Sequence, residues 1–206
     1  MSTSSYRTLF VEALAARLRR WQDEGKLDEE DLDRALSAQA RAWVDGVCEA
    51  STATPSADVE TLVALVAEQL GGDAALSDLA AEIASGWLSE SPFEGLLRSA
   101  RALVDGPGFV ASQASEWLVD EPDWSYTGSH DSFALRLRGV SSASPATKAL
   151  LGTLLARLAG AASRSAFDIH VEGLDGGELV VSGRLDPQPL GDPSRQTRLH
   201  RAALVP

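Results

Sequence analysis

Residues 132–138 read Ser132-Phe133-Ala134-Leu135-Arg136-Leu137-Arg138, and the period of this run decides the fold class. Phe133, Leu135 and Leu137 alternate with Ala134, Arg136 and Arg138, the two-residue repeat of a strand with one buried face. The spacing predicts a strand over 132–140. Downstream, Ser144-Pro145 opens a helix in which Leu150, Leu151, Leu154, Leu155 and Leu158 are almost continuous, the pattern of a helix buried on a broad face. Phe167, Ile169 and Val171 then alternate with Asp168, His170 and Glu172. After Asp175-Gly176-Gly177, Leu179, Val181 and Leu185 alternate with Val180, Ser182 and Arg184, so the two runs predict an antiparallel hairpin.

Upstream of this segment the period is helical. Leu9, Phe10, Ala13, Leu14, Leu18 and Trp21 form one stripe of a helix over about 5–24, ended by Gly25. Asp28 is placed as the N-cap of a second helix, with Asp31 as a variant capping box, a Leu27–Leu32 staple, and a buried face of Leu32, Leu36, Ala40, Trp43 and Val47. A loop over 51–56 precedes a third helix bearing Val59, Leu62, Val63, Val66 and Leu70, and a fourth presents Leu79, Ile83 and Trp87. Ser91-Pro92-Phe93-Glu94 opens a fifth, with Leu96, Leu97, Ala100, Leu103 and Val104 facing inward and Gly106-Pro107-Gly108 as its break. A short sixth carries Val110, Ala114, Trp117 and Leu118.

The expectation is an α+β fold. A helical part over 5–119 precedes a strand-helix-hairpin over 132–185, whose small antiparallel sheet packs on the helices. Residues 1–185 read as one domain, and the Pro-interrupted residues 186–206 as a flexible tail.

Composition narrows the function classes. The chain has 206 residues, 44% apolar, with a formal charge of −12. Setting aside Arg195, Arg198, Arg201 and Asp192 in the tail leaves 15 of 18 basic and 29 of 30 acidic residues, a charge of −14 on the body. That balance argues against nucleic acid, which needs clustered Lys and Arg. No apolar run reaches the roughly 18 residues of a membrane span. The lone Cys48 suits a reducing compartment, and the first residues lack a basic stretch followed by an apolar one, so a cytoplasmic location is expected.

No segment spells out a reaction. His130, beside Ser129, Asp131 and Ser132, is the candidate general base of a hydrolase reading, because imidazole titrates near neutral pH. The same residues are ordinary turn composition, so no catalytic residue is assigned. Trp21, Trp43 and Trp87 fall on apolar stripes and read as core. Trp117, Trp124, Tyr126 and His130 are the candidate ligand or partner contacts, and Arg195, Arg198 and Arg201 the candidate tail contacts. Three scattered histidines and one cysteine give no metal spacing, and no metal or cofactor is expected.

The element order, with an aromatic turn at Trp124-Ser125-Tyr126-Thr127-Gly128, strand Phe133 to Leu137, helix Lys148-Ala149-Leu150-Leu151-Gly152 and strand Phe167 to Glu172, resembles a known α+β fold. It is the fold shared by small subunits of the TRAPP vesicle-tethering complex and the vinyl-four-reductase ligand-binding domain, as in myxobacterial proteins of similar length. The resemblance implies a non-enzymatic domain that docks proteins, sometimes within a GTPase regulator, or holds an apolar ligand between helices and sheet. The clustered cysteines of many vinyl-four-reductase domains are missing, as is the Tyr, Ser and Arg motif of haem nitric-oxide sensors, so neither metal nor haem is inferred. The expected function is a protein-interaction or regulatory module, with a hydrophobic-ligand sensor as the alternative and hydrolysis through His130 third. The expected partners are a protein, an apolar small molecule or a second copy of the chain.

Overall fold

The structure is a computed structural model that describes residues 5–47, 54–89, 91–103, 105–119, 123–129, 131–138, 140, 142–163, 167–174, 177–185 and 199–201. Strand β1 (Ser5–Tyr6) precedes helix α1 (Thr8–Asp23), whose buried residues Phe10, Val11, Leu14, Ala15, Leu18 and Trp21 follow the stripe read from the sequence. The predicted second helix is two: α2 (Glu29–Ala35) and α3 (Ala38–Asp45). The break has a cause, since Ser37 takes an extended conformation and its side chain accepts from the Ala40 N–H, capping a new helix. Asp28 caps α2 through the Glu30 N–H, and both staple residues, Leu27 and Leu32, are buried. Val47, assigned to the buried face, is 80% exposed because α3 ends before it.

Strand β2 (Thr54–Pro55) pairs antiparallel with β1 and leads into α4 (Ser56–Leu70), α5 (Asp73–Ser89) and α6 (Ser91–Ala100). Helix α6 stops short of Leu103, which is 47% exposed rather than inward. Gly106-Pro107-Gly108 begins helix α7 (Gly106–Leu118) where the sequence suggested a break. Proline in the first turn loses no hydrogen bond, which reconciles the two readings.

The sheet follows. The aromatic segment expected to be a turn is strand β3 (Trp124–Gly128), antiparallel to β4 (Ser132–Leu137). Helix α8 (Pro145–Ala162) is capped by Ser144, whose hydroxyl accepts from the Thr147 N–H at 3.2 Å. Strands β5 (Phe167–Glu172) and β6 (Leu179–Leu185) form the expected hairpin, and β7 (Leu199–Arg201) adds to β5 in parallel. The order is β3-β4-β6-β5-β7, so β6 lies between β4 and β5 and α8 is the crossover that connects them. The fold is therefore mostly helical with a small, chiefly antiparallel sheet, as the change of period requires.

Helix α7 lies over β3 and β4, and α8 over β5 and β6. Leu150, Leu151, Leu154, Leu155 and Leu158 of α8 are all buried, and they share the core with Leu135, Leu137, Ile169, Leu179 and Val181 of the sheet. Two glycines permit the close approach. A Cβ at Gly152 would strike Val171, and one at Gly108 would strike the Tyr126 ring. No helix among the described residues is long and apolar enough to cross a membrane.

Candidate functional site

The aromatic candidates do not form one constellation. Trp117 on α7 stands edge-on to Phe93 at 4.4 Å and to Trp87 at 6.4 Å, while Trp87 and Phe93 stack at 5.4 Å with planes 1° apart. This cluster joins α5, α6 and α7 through aromatic packing. Trp124 and Tyr126 pair in register with Leu137 and Leu135, so they occupy the helix-facing side of β3. The Tyr126 hydroxyl donates to Asp105 at 2.8 Å, and burial, then the Asp105 carboxylate, push the phenol well above its ordinary value. His130, Cys48, Arg195 and Arg198 lie outside the described residues, and Arg201 falls in β7.

The concave feature of the sheet lies on its other face. Strand alternation sends Phe133, Leu135 and Leu137 inward and turns Ser132, Ala134 and Arg136 outward, together with Asp168, His170 and Glu172 of β5 and Ser182 and Arg184 of β6. No helix among the described residues covers this side. A groove of about 670 Å³ runs over it, lined by Thr127, Ser129, Ser132, Ala134, His170, Glu172, Ser182 and Arg184 and by backbone between them. Thr127, Ala134, Ser182 and His170 form one cross-strand row, and the small Ala134 and Ser182 make its floor.

Electrostatically the groove is mixed. His170 Nε2 lies 3.2 Å from Asp168 Oδ2, with both side chains close to half exposed. The Ser129 hydroxyl donates to Asp131 at 2.6 Å. Arg136 and Arg138 each reach Glu178 at 3.2 Å, forming a rail beside the groove. His170 and Asp168 thus form an imidazole–carboxylate pair at an open surface of the groove. The sequence reading placed His170 on a polar strand face but did not single it out. Its neighbours come from four strands, and only the register brings them together.

Comparison with known proteins locates the fold. No protein family and no curated relative matches the chain. Among solved structures it is similar to the Fe(II) unliganded crystal structure of a point mutant of an H-NOX protein from K. algicida, with a TM-score of 0.55 and 14% identity over 84% of this chain and 96% of that one. The resemblance to TRAPP subunits and vinyl-four-reductase domains is therefore corrected: the likeness in space is to an H-NOX fold. Helices followed by a small sheet are common to both descriptions, and element order alone does not separate them.

That H-NOX protein contains Fe(II), which makes the metal donors of this fold relevant. The buried core among the described residues contains no histidine, cysteine or methionine, and its buried polar side chains are Ser112, Ser115, Thr147 and Lys148. His170 faces outward, away from the core, and no group of three His, Cys, Asp or Glu among the described residues is arranged to hold a metal ion. The close contacts at Gly108 and Gly152 bring α7 and α8 directly onto the sheet. Among the described residues, this donor set and this packing do not fit an iron or haem centre.

Proposed function

We propose that this chain is a non-catalytic, small-molecule-binding sensor domain that holds its ligand in the groove on the outer face of the sheet. The observation that carries the proposal is the groove itself, about 670 Å³ and built by four strands, within the roughly 300–1,000 Å³ common for small-molecule sites. The likeness to an H-NOX protein, described as unliganded in that structure, supports a ligand-binding use of the fold. Hydroxyls and charges line the groove, so a polar ligand suits it better than the apolar one read from the aromatic residues. Protein docking is the second reading, favoured by β3, an edge strand whose outer side is unpaired among the described residues.

The test is thermal stability in the presence of a fractionated small-molecule extract, with bound species identified by native mass spectrometry. A ligand at about tenfold its Kd stabilises by about 1.4 kcal/mol, which raises Tm by about 4 °C in a domain of this size. Ala134→Trp, which fills the groove floor from the solvent side, is expected to abolish the rise while leaving the circular dichroism spectrum unchanged. An equal rise in both proteins overturns the proposal.

A further inference from the structure

Most charges on the outer face of the sheet are paired. Arg136 and Arg138 are held by Glu178, Arg138 also lies 3.8 Å from Asp123, and His170 is paired with Asp168. Arg184 and Glu172 differ: both are exposed, both line the groove, and neither forms an ion pair among the described residues. Asp168 stands opposite Arg184 in register but is turned to His170. Glu172 lies four residues beyond Asp168 on β5, so the strand rise separates the Arg184 and Glu172 Cα atoms by about 14 Å. Between them in register lie Ser182 on β6 and His170 on β5, and Ala134 and Thr127 continue the same cross-strand row to one side.

We infer that this groove takes a short zwitterionic, peptide-like ligand, with its carboxylate on Arg184, its ammonium group on Glu172 and its amides on the Ser182 hydroxyl between them. The inference rests on the ligand-binding reading above. A simple anion at Arg184 leaves the Glu172 carboxylate unused, and a simple cation at Glu172 leaves the Arg184 guanidinium unused. A ligand with opposite charges at its two ends satisfies both. An extended tripeptide spans about 10 Å, and the inward reach of the two long side chains closes the remaining distance. Charge pairs at an open surface are individually weak, so affinity on the order of millimolar is expected.

Triglycine and tetraglycine are suitable probes, because they carry two terminal charges and backbone amides and nothing else. Titration calorimetry on the full chain compares each with its C-amidated and N-acetylated forms. The expected result is binding of the free peptide, weakened about three- to fivefold by C-amidation or by Arg184→Gln. The amidated peptide should lose nothing more on Arg184→Gln, and N-acetylation should pair with Glu172→Gln in the same way. Equal binding of free and doubly capped peptides, or no binding of either, overturns the inference. Should the extract stabilise the native chain but not Ala134→Trp while the glycine peptides do nothing, the ligand class falls and the groove reading stands. Failure of extract and peptides alike removes both.

Discussion

Glu60 on α4 is the residue on which three elements meet. Its Oε1 accepts from the Tyr6 hydroxyl at 2.8 Å, and its Oε2 accepts from the Thr147 hydroxyl at 2.7 Å and the Ser144 N–H at 3.1 Å. The carboxylate thus sits at the N-terminus of α8, where the helix dipole favours negative charge. Burial, then the Glu60 charge and hydrogen bond, drive the Tyr6 phenol far above its ordinary pKa, and Tyr126 is raised likewise. These are the two tyrosines of the chain. A folded pKa above the unfolded value near 10 means that the stabilisation is complete below pH 10 and is lost as pH rises toward the folded value. Phenolate absorbance at 295 nm is therefore expected to appear together with unfolding above pH 10, not as a separate titration beforehand. Tyr6→Phe should lower stability at pH 7 by about 1 kcal/mol and make the alkaline decline shallower. Neither Tyr6 nor Glu60 stands out in the sequence, because they lie 54 positions apart and their contact depends on how α4 packs.

Among the elements, α8 was the most legible, from its Ser-Pro start to its leucine face, and its seat on the sheet makes a contrast at two glycines. At exposed Gly95 on α6 a Cβ meets nothing within 4 Å, so Gly95→Ala should stabilise by about 0.5–1 kcal/mol through helix propensity. At Gly152 the same gain is outweighed by overpacking against Val171, which costs about 1–3 kcal/mol. Denaturant titration should move the two variants in opposite directions. The elements misread share a cause. A continuous apolar period over 28–47 concealed the break at Ser37, and Gly106-Pro107-Gly108 signals a helix start as well as a stop. In β3, Trp124 and Tyr126 alternate with Ser125 and Thr127, but a five-residue run beside Pro122 and Gly128 also suits a turn. Pairing with β4 made it a strand.

For the whole molecule, the absence of His, Cys and Met from the core among the described residues and the close seat of α7 and α8 on the sheet predict that equimolar haem produces no sharp Soret band on the purified chain. A sharp band lost in His170→Ala would sink the donor-set argument. The acidic body, the helical period, the strand alternation over 132–137 and the hairpin were determined by the sequence, because charge and apolar spacing are local properties that each segment carries by itself. The strand order β3-β4-β6-β5-β7, the separation of Trp117 from Trp124 and Tyr126, the Glu60 knot and the placing of Arg184 and Glu172 along one groove were decided only by the tertiary structure. Each depends on the register and packing of segments distant along the chain, and no local period encodes which strand will lie beside which.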